Sequence, residues 1–436
     1  MTEIMIGSAN PSWRIYRLGQ LFRERREKVN DRDFPPLSVT KNGIVPQLET
    51  AAKSDDTDNR KGVRAGDFVI NSRSDRKGSG GLSELDGSVS LISIVLEPLG
   101  IDRKFAHHLL RSSAFQEEFY RWGHGIVADL WTTRYSDMKN IRLAVSDVET
   151  QKAIADFLDR ETARIDQLIE KKQRLVGLLG EKLDDDILRA VTLGIDPDVE
   201  MVPEDELEWT THRPKHWKLY RLKHFFRENT QYSKDGQETL FSLRMKEGLV
   251  PHNDVSDKEI PPSDLINFKK VFPGQIVMNR MRAAIGLFGL ADCEGIVSPD
   301  YSTFDVSPKA HAAYFLRLFK SEPMMAAFRL LSKGLGTGHS GFMRLNADNF
   351  GRIRVAVPER EEQRLVSNHV ENRIAQITKL QVWNEQSINR LREFRSALIT
   401  AAVTGQMDVA TWGKQGQTDR RLDQIEEDMS VREARA

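Results

Sequence analysis

Apolar residues between positions 149 and 191 recur on a seven-residue step. Leu158, Ile165 and Leu179 form one row, with Ile154, Leu168 and Leu175 on the adjoining row. The pattern returns between positions 361 and 403 in Val370, Ile377, Leu391 and Leu398, with Val366, Leu380 and Phe394 beside them. Spacing of this kind predicts two long amphipathic helices whose apolar rows form a coiled-coil seam. The two stretches align without gaps at a constant offset of 212 residues, Gln151 on Gln363 and Ala190-Val191-Thr192 on Ala402-Val403-Thr404. Both seams are broken at the same place by a polar residue, Lys172 and Asn384. A polar seam position costs stability and can fix register; a long stem such as that of Lys172 can equally snorkel to water. Ser146-Asp147-Val148-Glu149 reads as a capping box at the first start, and Pro358 with Glu359, Glu361 and Glu362 marks the second. At about 1.5 Å per residue each helix would extend roughly 65 Å. Neither has a second element near enough in sequence to pair with, so antiparallel packing of the two copies is the simplest way to bury both seams.

The repeat extends beyond the helices. Trp13, Tyr16, Leu18 and Phe22 recur as Trp217, Tyr220, Leu222 and Phe226. Lys41-Asn42-Gly43-Ile44-Val45-Pro46 answers Lys246-Glu247-Gly248-Leu249-Val250-Pro251, and Gly66-Asp67-Phe68-Val69-Ile70-Asn71 answers Gly274-Gln275-Ile276-Val277-Met278-Asn279. Between these lie short runs of branched apolar residues bounded by Gly, Ser and Pro, the pattern of strands. A helix is predicted over 104–122 and again over 310–331, each followed by a Gly-rich polar loop and a last strand. The expected fold class is α+β: two globular domains, each followed by a long helix, the two helices packed as an antiparallel coiled coil with pseudo-twofold symmetry. The boundaries are a first domain over 1–148, its helix over 149–193, a Pro-rich acidic surface linker over 194–214, a second domain over 215–358, its helix over 359–405, and a polar tail over 406–436, expected to be disordered or a frayed helix.

A chain of 436 residues suits several domains. Lys plus Arg and Asp plus Glu both number 64, so bulk charge gives no support to nucleic-acid binding, and only local basic surface could supply it. The single cysteine, Cys293, excludes an intrachain disulfide, fits a reducing compartment and reads as a small buried hydrophobe. With no signal-peptide pattern and no apolar run of membrane-spanning length, a cytoplasmic location is expected. Catalytic motifs are missing: there is no phosphate-loop motif, no HExxH and no paired cysteines for zinc. Gly334-Leu335-Gly336-Thr337-Gly338 follows a predicted helix, not a strand, and reads as a turn. His107, His108, His124, His339 and His369 lack metal-ligand spacing. No metal or cofactor is expected on this chain.

Basic and aromatic residues do recur in the loops of both halves. Arg73, Arg76 and Lys77 align with the segment holding Arg280 and Arg282. His124, Trp131, Arg134 and Tyr135 correspond to the segment holding Lys333, His339 and Arg344. Arg reads guanine bidentately, and Lys and backbone amides bind phosphate, so these paired loops are candidate DNA contacts. A solvated loop surface is the bland alternative for any one of them.

Two variable globular halves, each followed by a long helix, resemble the specificity subunit of type I restriction–modification systems over about residues 11–405. Val355-Ala356-Val357-Pro358-Glu359-Arg360-Glu361-Glu362-Gln363 matches the family's strand, proline, acidic pair and glutamine, whereas Val145-Ser146-Asp147-Val148-Glu149-Thr150-Gln151 lacks the proline. The linker residues Ala190-Val191-Thr192-Leu193-Gly194-Ile195-Asp196-Pro197, Met201, Glu208-Trp209 and Pro214-Lys215-His216-Trp217 also resemble the family's. The resemblance implies a non-catalytic, sequence-specific DNA-binding subunit. Each half is then a target-recognition domain reading one part of a bipartite asymmetric site in double-stranded DNA. It implies two partner methyltransferase subunits carrying S-adenosylmethionine and methylating adenine, and possible restriction subunits using ATP and Mg. The residues alone leave open a stand-alone nuclease or methyltransferase, or a coiled-coil scaffold with no DNA role.

Overall fold

The computed structural model describes residues 5–6, 10–48, 58–73, 76–125, 131–207, 209–335 and 342–425. The chain forms two compact units, residues 1–176 with 382–436, and residues 177–381. The division falls inside the two long helices, Val148–Leu193 and Arg360–Val403. Each unit therefore holds one globular domain and one half of each helix.

In the first unit a four-stranded antiparallel sheet runs in the order Phe22–Glu24, Ser93–Pro98, Phe68–Asn71, Gly80–Leu82. A second sheet joins Gly87–Val89, Arg60–Val63 and Lys28–Val29, and the hairpin Leu37–Thr40/Gly43–Pro46 stands alongside. The second unit repeats this order. Phe226–Asn229, Tyr301–Val306, Ile276–Asn279 and Phe288–Leu290 make its main sheet, with Lys269–Val271 on Gly295–Val297 and the hairpin Phe241–Arg244/Gly248–Pro251. The repeated Gly43 and Gly248 sit at the hairpin tips with φ of 117° and 78°, a conformation that costs a side-chain-bearing residue dearly. Two short helices follow each sheet, Arg103–Arg111 and Ser113–Arg121 in one, Ala312–Phe319 and Glu322–Leu331 in the other.

Each domain buries one face of its main sheet against its helices and the other in a smaller cluster, Leu37, Val63, Val69, Val89 and Val95 in the first and Phe241, Leu243, Val271, Val277 and Val297 in the second. Against its helices the first uses Phe22, Phe68, Leu96, Phe105, Leu109, Phe115 and Phe119. The second is more aromatic: Phe226, Phe288, Phe304, Phe315, Phe319, Phe328 and Phe350 pack with centroid separations between 4.8 and 6.5 Å where they touch. Each such ring contributes roughly 1.5–3 kcal/mol by leaving water.

The antiparallel pairing of the long helices is present within each unit. In the first, Ile154, Leu158 and Ile165 of the first helix share a core with Leu391, Leu398 and Ala402 of the second. In the second unit, Ala190 and Val191 at the end of the first helix meet Val366 and Val370 at the start of the other. The seam residues Leu158, Ile165, Val370, Ile377 and Leu391 are buried, while Leu179, Lys172 and Asn384 are half-buried. The adjoining row departs from expectation. Ile154 and Val366 are buried, but Leu175 and Leu380 are 43% and 36% exposed. These two lie towards the middle of the helices, whereas Ile154, Val366 and Phe394, nearer the ends, pack into the cores of the two units.

Buried glutamines join each long helix to its domain. Gln151 Oε1 accepts from the amide of Asp102 at 2.8 Å, and its Nε2 donates to the Ser146 carbonyl at 2.7 Å. Gln363 repeats both contacts with the His311 amide and the Pro358 carbonyl, at 2.8 and 2.9 Å. The first helix is capped by Asp147, which accepts from the Thr150 amide at 3.0 Å, rather than by Ser146.

Each long helix ends in a glycine with positive φ, Gly194 and Gly405, and each glycine lies against a tryptophan, Trp217 and Trp13 respectively. The linker over 194–214 is more built than its composition suggests. Met201–Pro203 pairs with His212–Pro214, the buried Glu204 accepts from Arg213 at 2.7 Å, and Leu207 packs on Trp217. The tail over 406–436 also differs from expectation as far as residue 425. Val409–Lys414 is helical, Leu422 and Ile425 enter the first unit's core, and Asp419 pairs with Arg164. Met407, Val409, Trp412, Leu422 and Ile425 give this polar segment an apolar face, which docks it. Among the described residues no helix is long and apolar enough to cross a membrane.

Candidate nucleic-acid interface

The loop after the third strand of each main sheet meets the segment after the helix pair through the same backbone contact. In the first unit the amide of Thr133 donates to the Ser72 carbonyl at 3.0 Å, and Thr132 forms isolated bridges with both Arg73 and His124. In the second the amide of Leu345 donates to the Arg280 carbonyl at 2.9 Å. Lys333–Leu335 pairs antiparallel with Phe342–Arg344, placing Lys333 opposite Arg344. The two ends of the segment expected to be a Gly-rich loop are thus paired strands, and residues 336–341 between them lie outside the described residues. Two stretches some 60 residues apart in sequence are in this way brought to one surface in each unit.

The candidate side chains on that surface fall into two groups. Arg73, Arg76, His124, Trp131 and Arg134 are exposed in the first unit, as are Arg282 and Lys333 in the second. Exposed cations beside backbone loops can meet phosphates or base edges. Lys77 and Arg344 are exposed as well, Tyr135 and Arg280 are half-buried, and these four make contacts within the protein. Lys77 pairs with Glu117 and lies 5.6 Å from the Tyr120 ring centroid. Tyr135 donates its hydroxyl to the Phe22 carbonyl at 2.8 Å, and burial pushes that hydroxyl's pKa up. Arg280 donates Nε to the Asp300 carbonyl at 2.9 Å and Nη2 to the Pro299 carbonyl at 2.7 Å, which locks the 298–300 turn. Arg344 is 3.0 Å from the Asp300 carboxylate. His339 lies outside the described residues.

Asp300 was not among the residues singled out from sequence. It is the shared anchor of Arg280 and Arg344, and nothing in its local sequence marks it, because its partners lie 20 and 44 residues away. No group of three or more His, Cys, Asp or Glu side chains able to hold a metal occurs among the described residues. His107 and His108 pack against each other with centroids 5.4 Å apart, and burial lowers both pKa values, that of His107 to about 3. His108 Nε2 lies 2.8 Å from Asp159. Cys293 is exposed, not buried, because it sits between the strands Phe288–Leu290 and Gly295–Val297. The neighbouring Asp292 raises its pKa, which disfavours the reactive thiolate.

No protein-family model matches the chain, and no curated protein sequence matches it. Solved structures do. The HsdS subunit from Thermoanaerobacter tengcongensis superposes with a TM-score of 0.54 at 16% identity, covering 93% of this chain and 100% of that one. A chain from a structure describing complex assembly and conformational transition of the type I R-M system gives a TM-score of 0.59 at 16% identity, covering 92% and 100%. Two sheet domains and two long helices packed antiparallel therefore constitute the fold of the HsdS subunit.

Proposed function

We propose that this chain is the specificity subunit of a type I restriction–modification assembly and reads a bipartite, asymmetric DNA site with one unit per part. The observation that carries this is the repeated backbone contact, Ser72 to Thr133 and Arg280 to Leu345, on the fold of an HsdS subunit. The backbone frame is common, while the side chains it displays differ, as two readers of different sequences require. Arg73, Arg76, Arg134 and Arg282 are exposed arginines suited to base edges or phosphates. Arg280 and Tyr135 shape the surface from behind, and Arg344 is exposed beside Asp300.

The helix Val148–Leu193 has 46 residues, about 69 Å at 1.5 Å per residue, and is continuous from one unit into the other. Half-sites on one face of B-DNA repeat about every 34–36 Å. Helices of this length act as a ruler that sets the gap between the two parts of the site. The chain itself performs no chemistry in this account. Two methyltransferase partners bring S-adenosylmethionine, restriction partners bring ATP and Mg, and the helices are where they dock.

Footprinting of the chain assembled with its methyltransferase partner tests the proposal. Two protected patches flanking an unprotected gap are expected. A single patch, or none, contradicts it, as does methylation or cleavage by the purified chain alone.

A further inference from the structure

A cavity of about 540 Å³ in the first unit lies outside the paired loops. Lys41, Asn42, Arg111, Ser113, Asp166, Arg392 and Arg395 supply its polar wall. Four cations thus face one carboxylate. Arg395 uses that carboxylate: Nη2 donates to Asp166 Oδ2 at 3.0 Å, and Nε lies 2.8 Å from Oδ1 as an ion pair. Arg111 has no acid of its own among the described residues. It donates Nη2 to the Lys41 carbonyl, and burial together with the like charge of Arg395 lowers its pKa. Arg392 and Lys41 are exposed at the rim, and among the described residues the only side chain to which the rim arginine donates is neutral Asn389, at 3.3 Å. The helix Ser113–Arg121 begins at the wall, so its positive end adds to the same sign.

The repeat supplies an internal control. At the equivalent positions the second unit has Lys246, Glu247, Lys320, Glu322, Thr378, Gly180 and Leu183. Arg392 and Arg395 are replaced by Gly180 and Leu183, and two carboxylates enter. Shared scaffolding therefore does not require the positive charge; the first unit carries it in addition. Gathering like charges in a half-buried cavity is unfavourable unless an anion offsets them.

We propose that this cavity binds a phosphate-type anion, at a site the second unit does not have. The anion can be a phosphate of the DNA backbone or a free phosphate compound; both present oxygens that Arg111, Arg392 and Lys41 bind by charge-assisted hydrogen bonds. The site does not depend on the base-reading role of the paired loops.

Titration calorimetry of the full-length chain with pyrophosphate, and DNA binding measured from low to moderate salt, test it together. The variants are Lys41→Gln/Arg392→Gln, the milder Lys41→Gln alone, and Lys246→Gln as the control in the second unit. Pyrophosphate affinity is expected to fall about tenfold or more in the double variant, the equivalent of one charge-assisted hydrogen bond, and to be unchanged in the control. If the anion is a DNA phosphate, the slope of log K against log salt falls by about 0.9 for each phosphate no longer neutralised. A pyrophosphate loss without a slope change identifies a free phosphate compound as the ligand; a slope change without pyrophosphate binding identifies DNA. An unchanged affinity and an unchanged slope overturn the site. Failure of the two-patch footprint with pyrophosphate binding intact would overturn the DNA-reading proposal and leave this one standing.

Discussion

In the first unit Arg73 bridges to Thr132, and Lys77 is held by Glu117. In the second, the loop is clamped from below by Arg280 on the carbonyls of Pro299 and Asp300, with Arg344 closing on the same aspartate. The backbone contact is the same; the means of stiffening it are not. The interiors diverge in the same way. His107, His108 and Asp159 of the first unit stand where the second has Leu316, Arg317 and Glu371. Hydrogen bonds of the main chain and a few buried side chains define the frame, which leaves the remaining positions free to differ between the units.

The largest expected effect separates frame from display. Trp217 is fully buried and donates Nε1 to Glu362 at 2.9 Å, whereas Trp13 is only half-buried. Trp217→Ala should cost about 3–5 kcal/mol, and Trp13→Ala less, by denaturant unfolding of the full chain. Equal losses would mean that the two helix ends are anchored alike despite their different burial.

Next come the glutamines, where the two units should behave identically. Gln151→Ala and Gln363→Ala each leave a partly buried amide without its acceptor, so each should destabilise by about 1–3 kcal/mol. A neutral result at one position would break the equivalence of the two domain-to-helix joints.

A subtler contrast lies within the second unit's loop. Arg282→Ala should leave the melting temperature unchanged and weaken one half-site by roughly 1–3 kcal/mol for each base that the arginine reads. Arg280→Ala should lower the melting temperature as well, since it releases the 298–300 turn. If both variants melt like the parent, the clamp assigned to Arg280 is wrong.

A further contrast appears in acid. Burial holds the His107 pKa at about 3, while in the unfolded chain it protonates near its usual value of about 6.5. A folded pKa below the unfolded one means that the stability His107 contributes is present above about pH 6.5. It is lost as pH falls from there towards 3. The first unit should lose stability over this window, and His107→Leu, which installs the residue type of Leu316, should flatten the slope. An unaltered slope would place the acid sensitivity elsewhere.

Much of the frame was legible because it is written in local or periodic signals. The seven-residue step marked both long helices, and the repeated Trp, Gly and Gln residues marked the same joints twice. Contacts between distant segments were not legible. Arg280 and Arg282 look alike in sequence, and only the return of the chain at Pro299 and Asp300 makes one a clamp and leaves the other exposed. Tyr135 reads as a loop aromatic until the carbonyl of Phe22 arrives beside its hydroxyl. The exposure of Leu175 and Leu380, and the docking of Leu422 and Ile425, depend on which helix face is already occupied, which periodicity alone does not reveal.

The central claim is that each unit reads its own part of the DNA site. It is tested most directly by sequencing the methylated sites of a host that expresses this chain with the proposed methyltransferase partner, comparing the parent with Arg282→Ala. The account predicts a two-part motif in the parent and degeneracy confined to one part in the variant. A motif in one piece, or equal degeneracy in both parts, would contradict it.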